Sequence, residues 1–334
     1  MSKLRVIIIG TGGMANYHAE TFRNIDEVEI VAGIDTNKAR LDDFCKKFSI
    51  PRGFSSLQDA IEWGEFDAAA NVTPDSVHYA TTMPLLAAGK HVLCEKPLAT
   101  NYEHALEMAQ EAERAGVVNM VNLTYRNGPG LEHAAKLIAE GAIGEVRHFE
   151  ASYLQSWLTQ PAWGDWKTDP TWLWRLSTEH GSNGVLGDVG VHIVDFATYA
   201  AGSDVRDLSC RLTTFEKAPG NKIGEYPLDA NDSMSMHVSL KNGAVGVIHA
   251  SRFASGHLND LSLRIHGTLG AIEVKDTKME SSLRVCLGDD LGTATWRDVT
   301  VPKVPIIIER FVDAIRTGSK HSPDFARGAA LQKT

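Results

Sequence analysis

The chain has 334 residues, and 33 lysines and arginines against 42 aspartates and glutamates give it a formal net charge of −9. At about 150 residues per domain, this length predicts two domains and a core that needs neither metals nor disulfides. The acidic balance argues against nucleic acid as a partner. The apolar runs are far too short to span a bilayer, and the N-terminus lacks the pattern of a signal peptide. The four cysteines are scattered without CxxC spacing, which argues against structural zinc and predicts a reducing, cytoplasmic location.

The first third of the chain alternates short apolar runs with segments of helix-forming residues. This alternation is typical of a parallel, doubly wound sheet. We predict strands over 4–9, 28–34, 66–72, 91–94 and 117–123, and helices over 14–23, 38–48, 76–88 and 102–115.

The pattern changes after residue 146 to successive strands, with Lys241-Asn242-Gly243 as a hairpin signal. We predict strands over 148–153, 208–215, 234–240, 244–251, 261–266 and 271–274, and a helix over 190–201. We divide the chain into domains 1–124 and 125–334, the second being an α+β domain with a mostly antiparallel sheet. The last residues, 325–334, have the pattern of a helix that stops in mid-course, so that the native chain either ends there or continues.

Residues 10–15, with the sequence GTGGMA, form a G-x-G-x-x-A pattern between a predicted strand and a predicted helix. Gly10 permits the tight turn, Gly12 lets the backbone approach a pyrophosphate, and Ala15 allows close helix–sheet packing. The free N–H groups and dipole of the helix N-terminus favour phosphate. A glycine turn without a ligand is the alternative. The predicted dinucleotide-binding residues in this loop are Gly10, Gly12, Gly13 and Met14.

Asp35 ends the second predicted strand, 25 residues after Gly10. A carboxylate there accepts hydrogen bonds from an adenosine ribose and repels a 2′-phosphate, so the pattern favours NAD over NADP. A helix N-cap is the alternative role for Asp35. Lys38 and Arg40 follow closely and could accommodate a 2′-phosphate, which leaves NADP open.

Two further motifs carry proton-transfer chemistry. Lys96 follows the fourth strand, where ligands bind in open α/β sheets, and its ammonium could polarise a substrate oxygen; a solvated surface lysine is the alternative. Asp188 and His192 are four residues apart and would share one helix face, so that the carboxylate orients an imidazole suited to proton transfer. An N-cap and a packed helix residue are the alternatives for this pair.

Taken together, these motifs resemble the glucose–fructose oxidoreductase/inositol dehydrogenase (Gfo/Idh/MocA) family of NAD(P)-dependent oxidoreductases. The resemblance spans essentially the whole chain and implies a Rossmann domain followed by a domain with a large open sheet. In this family that sheet often joins subunits, which implies a homodimer or homotetramer. The matching pieces are GTGGMA at 10–15, Asp35, Thr73-Pro74 with His78, EKP at 95–97, Arg126 and GVLGDVGVH at 184–192.

The resemblance also implies roles for individual residues. His192 would be the general base on a substrate hydroxyl, Lys96 would assist it, and Asp188 would hold the substrate and both groups in place. The loop beneath the cofactor would be formed by Thr73, Pro74 and His78, with Glu95 on the same side. The cofactor expected is NAD, and no metal is expected.

Five of the seven tryptophans fall between residues 157 and 174, just before the second motif. Flat aromatic faces suit a pyranose or cyclitol ring, although tryptophans that only pack domains or subunits are the alternative. The expected substrate is a neutral monosaccharide, anhydrosugar or inositol; a dihydrodiol, a retained-cofactor cycle and a non-catalytic NAD-responsive regulator are the alternatives. The candidate substrate contacts are Tyr125, Arg126, Gln155, Trp174, Arg175 and Asn183, with Asp188 and His192.

Overall fold

The computed structural model describes residues 2–277 and 280–334. The chain forms two compact units: one contains the residues up to Thr124 together with Pro305–Thr334, and the other contains Tyr125–Val304. Assignment of residues 305–334 to the second domain is therefore wrong. Apolar side chains of this segment, among them Phe311 and Phe325, are fully buried within the first unit, which explains why it joins that unit.

The first unit begins with alternating strands and helices. They are β1 (Leu4–Ile9), α1 (Gly13–Arg23), β2 (Val28–Ile34), α2 (Lys38–Phe48), β3 (Gly53–Phe54), α3 (Leu57–Trp63), β4 (Ala68–Asn71), α4 (His78–Ala87), β5 (His91–Cys94), α5 (Tyr102–Ala115) and β6 (Asn119–Val121). The predicted strands and helices are all present, with shorter bounds for β4, α4 and β6. The sequence analysis missed β3 and α3, because two residues of strand and seven of helix give no clear periodicity.

The strands of this unit pair in parallel in the order β3-β2-β1-β4-β5-β6. Ile7 and Ile8 are fully buried in β1, as expected for a parallel strand covered on both faces. The strand order reverses between β1 and β4, and the residues that follow these strands lie at the ligand-binding edge of such a sheet. The fold of this unit is a Rossmann fold.

The second unit contains a mixed sheet and the helices that cover it. Its elements are α6 (Pro129–Ala139), β7 (Val146–Gln155), α7 (Pro170–Leu173), α8 (Val191–Ala200), β8 (Val205–Thr213), β9 (Lys222–Ile223), β10 (Tyr226–Pro227), β11 (Ser233–Leu240), β12 (Val245–Ser251), β13 (Asn259–Gly267), β14 (Gly270–Asp276), β15 (Ser281–Leu287) and β16 (Arg297–Asp298). The chain then returns to the first unit with α9 (Ile307–Thr317) and α10 (Phe325–Lys333). Three longer elements, α6, β15 and α9, and four short ones, α7, β9, β10 and β16, were not predicted.

Within the described residues, the large sheet has eight strands in the order β16-β15-β14-β13-β7-β12-β11-β8. Only the β7–β12 pair is parallel among the pairings of this sheet, so the expectation of a mostly antiparallel sheet is confirmed. The hairpin predicted at residues 241–243 joins β11 to β12. Both α6 and α8 pack on one face of the sheet.

The tryptophan-rich segment forms a small core of its own. Trp157 and Trp166 are buried with leucines, including Leu176 and Leu228. The rings of Trp163 and Trp172 are partly buried and pack against this cluster. Most of these tryptophans therefore stabilise the loop itself, which agrees with the structural alternative for them. Among the helices that the structure describes, none is long and apolar enough to cross a membrane.

Candidate active site

The glycine loop between β1 and α1 has the geometry of a phosphate cradle. Gly10 has a φ of +83°, and a Cβ there would lie 2.7 Å from the carbonyl oxygen of Val72, so only glycine fits. A Cβ on Gly12 or Gly13 would meet no atom within 4 Å, and no side chain caps the start of α1. The open backbone at a helix N-terminus fits the pyrophosphate of a dinucleotide. Met14 is exposed at the same place.

The Asp35 carboxylate lies beside this loop and is held by several donors. Its Oδ2 accepts bonds from the backbone N–H of Thr11 at 2.9 Å and the Thr11 hydroxyl at 2.8 Å, and its Oδ1 accepts the Asn37 N–H at 2.8 Å. The Arg40 guanidinium donates to both oxygens at 3.1 Å. Burial alone would raise the pKa of Asp35, but the bonds from Arg40, Asn37 and Thr11 lower it to about 2. Asp35 is therefore an anion at neutral pH.

Of the two cations that follow Asp35, only Arg40 binds it. Lys38 instead pairs with Asp42 at 2.9 Å on the surface of α2. A cavity of about 390 Å³ beside the loop is lined by Arg40 and Lys47 among others. The NAD-favouring carboxylate and a cation able to meet a 2′-phosphate therefore lie side by side.

His78 is buried and bridges two loops of the first unit. One ring nitrogen lies 2.8 Å from the carbonyl oxygen of Pro97 and the other 2.9 Å from that of Thr73. Because carbonyls only accept hydrogen bonds, both ring nitrogens must donate, and the ring is an imidazolium. Burial would lower the pKa of His78, but Cys94 and the two carbonyls raise it to about 9. His78 thus holds together the loops that carry Thr73-Pro74 and Lys96-Pro97.

Glu95 is also buried and supports the backbone of the next residue. Its Oε1 accepts bonds from His18 Nε2 and Asn122 Nδ2, each at 2.7 Å, and its Oε2 accepts the backbone N–H of Lys96 at 3.2 Å. Burial would raise the pKa of Glu95, but His18, Asn122 and Lys96 lower it to about 2. Glu95 therefore supports the backbone of Lys96, whose own side chain is half-buried.

Asp188 and His192 do not share one α-helix. Asp188 lies in a π-helical segment, Leu186–Gly190, whereas His192 lies in the first turn of α8. A π-helix bonds residue i to i+5 and is most frequent at functional sites, so the predicted i, i+4 relation does not hold as in a regular α-helix. Nothing in the residue pattern indicates this change in helix type.

The space beside two glycines near Asp188 is filled by asparagine side chains. A Cβ on Gly184, whose φ is +63°, would lie 2.4 Å from the Asn231 side chain. A Cβ on Gly187 would lie 2.3 Å from the Cβ of the exposed Asn183. Neither glycine therefore has room for a side chain, because the space beside its backbone is already filled.

Two tyrosines lie beside His192 and within electrostatic reach of Asp188. The rings of Tyr125 and His192 meet edge to face with their centroids 4.9 Å apart, and the Tyr153 centroid lies 6.4 Å from that of His192. Burial raises the pKa of both tyrosines, and the charge of Asp188 adds to both shifts. His192 and the two tyrosines therefore form one cluster of side chains in the second unit, and Asp188 lies within electrostatic reach of it.

A chain of hydrogen bonds extends from these tyrosines. The two hydroxyls bond to each other, and Asn259 Nδ2 donates to the Tyr125 hydroxyl at 2.5 Å. Asn259 Oδ1 accepts from Tyr153 at 2.7 Å and from Gln155 Nε2 at 2.9 Å. Gln155 was predicted as a substrate contact, whereas Tyr153 was not. Tyr153 lies two residues earlier on β7 and shares the same face, so the two-residue period of a strand could have identified it.

The carboxylate of Asp188 lies between two arginines. Its Oδ2 accepts a bond from Arg252 Nη2 at 3.0 Å and lies 3.7 Å from Arg175 Nη1. The Arg175 side chain is 35% exposed, and its guanidinium lies over the ring of Trp174, 4.6 Å from the centroid. Trp174 is 38% exposed, more than the other tryptophans of its segment. Two predicted substrate contacts, Arg175 and Trp174, are therefore accessible at this carboxylate. Arg252, which also bonds Asp188, was not among the predicted site residues.

Arg126 does not belong to this accessible set. Its buried guanidinium makes two 2.8 Å bonds to Asp195 and lies over the Tyr199 ring. This is a structural ion pair beneath the sheet, and it does not favour the substrate contact predicted for Arg126.

The imidazolium of His78 gives a pH-dependent prediction. Its folded-state pKa of about 9 exceeds the unfolded value of about 6.5, so its stabilisation is fully present below pH 6.5 and is lost as the pH rises through about 9. The difference in the free energy of unfolding between the native protein and His78→Gln should therefore shrink between pH 6 and 10, as measured by urea unfolding. Thr73→Ala disturbs the same loop without a titrating group and should give a constant difference. A constant difference for His78→Gln would mean that the folded imidazole is neutral.

The chain resembles known proteins over both units. Residues 4–123 match the model of an oxidoreductase family with an NAD-binding Rossmann fold, and residues 131–273 match the GFO/IDH/MocA C-terminal domain. A levoglucosan dehydrogenase of Pseudarthrobacter phenanthrenivorans is 27% identical over 98% of this chain and 93% of the relative. A scyllo-inositol 2-dehydrogenase (NADP(+)) of Bacillus subtilis is 30% identical over 71% of this chain and 70% of the relative.

A solved structure of levoglucosan dehydrogenase in complex with NADH is similar to the whole chain. It superposes with a TM-score of 0.86 at 26% identity and covers 99% of this chain and 94% of its own. The glycine cradle, the carboxylate after β2 and the switch point between β1 and β4 agree with this similarity. The chain therefore belongs to the GFO/IDH/MocA family of oxidoreductases, with an NAD-binding Rossmann domain at its N-terminus.

Proposed function

We propose that this protein is an NAD-dependent dehydrogenase that oxidises a secondary alcohol of a neutral sugar, anhydrosugar or inositol, or reduces the corresponding ketone. The observation that carries the proposal is the cluster of His192, Tyr125 and Tyr153 in the second unit, which lies within electrostatic reach of the Asp188 carboxylate. Relatives named for levoglucosan and scyllo-inositol support the substrate class.

The proposed chemistry divides between three side chains. His192 takes the proton of the substrate hydroxyl as general base, which suits an imidazole near neutral pH. Asp188 orients that hydroxyl and the imidazole, and Lys96 stabilises the developing negative charge on the oxygen. The nicotinamide ring supplies the hydride acceptor. Glu95 supports Lys96 by accepting its backbone N–H.

Substrate recognition is proposed for the polar chain around the tyrosines. Gln155 and Asn259 carry amides, each with donors and acceptors that match sugar hydroxyls. The exposed ring of Trp174 offers an apolar face for the C–H groups of a sugar ring, and Arg175 lies beside it. Asn183, which is exposed before the π-helical segment, is a further proposed contact.

The first test is the absorbance of reduced nicotinamide after mixing the protein with NAD or NADP and a panel of substrates. The panel contains glucose, galactose, xylose, levoglucosan, myo-inositol and scyllo-inositol, with ketoses for the reverse reaction. We expect turnover with one class of neutral ring, and a loss of about 10²–10⁴-fold in kcat for Lys96→Ala and His192→Ala. Lys46→Ala, an exposed lysine on α2, is the control and should keep full activity. Unchanged turnover in the Lys96 and His192 variants would refute their roles.

Asp35 should decide the choice of cofactor. Two like charges 4 Å apart repel by about 4 kcal/mol at an effective dielectric constant near 20, so removal of the carboxylate should favour NADP strongly. We expect Asp35→Ser to raise the ratio of kcat/KM for NADP over NAD by at least about tenfold, with Arg40 released to meet the 2′-phosphate. Asp42→Ser removes a surface carboxylate on the helix that follows, α2, and should leave the ratio unchanged. An unchanged ratio for Asp35→Ser would contradict the proposal.

We also propose that the protein forms a homodimer or homotetramer through the large sheet. The face opposite α6 and α8 carries the exposed side chains His148, His249 and Arg264, and Val245 is 50% exposed in the central part of the sheet. An exposed apolar residue among polar groups suits an interface between copies.

Sedimentation equilibrium tests this assembly. Val245→Arg should weaken association at least about tenfold, because an unpaired charge buried in an interface costs more than about 1.4 kcal/mol. Leu269→Arg also replaces an exposed apolar residue, but outside the strands, and should not affect association. A native protein that sediments as a monomer would overturn the proposal.

A cytoplasmic location is proposed on the cysteines. All four are free thiols, which suits a reducing compartment. Neither nucleic acid nor membrane is proposed as a partner, because the net charge of −9 offers no basic excess for phosphates.

A further inference from the structure

We infer that Arg252 is a positioning residue that fixes the carboxylate of Asp188 in the orientation used on the substrate. The inference rests on the proposed function, because it concerns how Asp188 is held. Neither the motifs nor the resemblance pointed to Arg252, which follows β12 directly.

The Arg252 guanidinium connects three points around Asp188. Nη2 donates to Asp188 Oδ2 at 3.0 Å and to the carbonyl oxygen of Gly184 at 3.3 Å, and Nη1 donates to the carbonyl oxygen of Arg175 at 3.1 Å. The planar guanidinium therefore bonds the π-helical segment, the loop before it and the loop that carries Trp174. The fixed fork of arginine suits such a role, because its donors cannot move independently.

Burial makes this pairing obligatory. Arg252 is 1% exposed, and its guanidinium lies over the Trp157 ring, 5.1 Å from the centroid. A buried cation is stable only when it is paired and hydrogen-bonded. Burial lowers the pKa of Arg252, and the charge of Asp188 opposes that effect. Asp188 therefore neutralises Arg252, and Arg252 in turn holds Asp188.

The other nearby carboxylate is engaged elsewhere. Asp232 Oδ2 accepts bonds from Lys217 Nζ at 2.7 Å and from the Phe215 backbone N–H at 2.9 Å, within a fully buried ion pair. The carbonyl oxygen of Asp232 accepts the backbone N–H of Arg252 at 3.0 Å. Asp232 and Lys217 therefore fix the main chain of Arg252, while its side chain bonds Asp188.

Arg175 differs from Arg252 in distance and exposure. Its guanidinium lies 3.7 Å from Asp188 and is partly exposed, so it is able to move when a substrate arrives. Its carbonyl oxygen, in contrast, is bonded by Arg252. Arg252 thus acts as the fixed partner of Asp188 and Arg175 as the accessible one.

A double-mutant cycle tests the inference. Arg252→Gln should lower kcat/KM for the substrate found in the panel by about 10²-fold, the typical effect of misplacing a catalytic group by 1 Å. In an Asp188→Asn background the same substitution should add less than about twofold, because residues that act through one group are not additive. The affinity for NADH, measured by fluorescence, should not change. Arg297→Gln removes another arginine–carboxylate pair of the second unit and should leave kcat/KM unchanged.

Arg252→Lys keeps the charge but cannot bond three acceptors in one plane, so it should have intermediate activity. If Arg252→Gln does not fold, as judged by circular dichroism, the cycle is run with the lysine variant. Full activity of Arg252→Lys, or additive effects of the Arg252 and Asp188 substitutions, would overturn the inference and leave the proposed function intact. Full activity of Asp188→Asn alone would instead overturn the role proposed for Asp188, and this inference with it.

Discussion

A buried charge must be paired, and this constraint organises the candidate site residues of both units. In the first unit Glu95 is held by His18 and Asn122 and in turn bonds the backbone of Lys96. In the second unit Arg252 is held beside Asp188. The pairs are costly to leave incomplete, since removal of one member of such a pair strands the other without solvent. The residues proposed for the chemistry are therefore fixed by partners that take no part in it.

The two units meet this constraint in different ways. In the first unit the supporting groups come from the loops at the carboxyl ends of parallel strands, so that Glu95, after β5, and Asn122, after β6, become neighbours. In the second unit the support comes from residues distant in sequence, such as Asp188 and Arg252, which are 64 positions apart. The difference follows from topology, because a parallel sheet collects its functional loops at one edge, whereas a mixed sheet does not.

Much of the first unit could be predicted from the sequence, because each buried parallel strand is a continuous apolar run and each helix has its own boundary residues. The bounds of β1, β2, β5, α2 and α5 agree with the prediction. The motif residues could also be located, since Gly10 and Asp35 have roles that follow from a strand–turn–helix context. What could not be predicted depended on tertiary contacts. The bond from His78 to the carbonyl oxygen of Pro97 depends on the loop after β5, and nothing in the residues around position 78 indicates that contact.

The second unit was harder to predict because more of its features depend on tertiary contacts. The regular spacing of Asp188 and His192 predicted an α-helical face, but packing of Gly184 and Gly187 against Asn231 and Asn183 accompanies a π-helical segment instead. Most of the tryptophans considered for a substrate pocket pack in the small core of their own loop. Such large side chains must bury most of their area. Hydrophobic periodicity predicts the helices and strands one at a time. The π-helical segment and the packing of the tryptophans depend instead on contacts between different parts of the chain.

Helix α1 connects the glycine loop to the residues that support Lys96. The helix starts at the glycine cradle, and His18, one and a half turns further on, bonds Glu95. Glu95 in turn bonds the backbone of Lys96. One helix therefore links the glycine cradle, which has the geometry to bind phosphate, to the backbone that carries the lysine. Any shift of that helix on cofactor binding would be transmitted to Lys96 through two hydrogen bonds, so the loaded and unloaded forms would differ in how firmly the lysine is held.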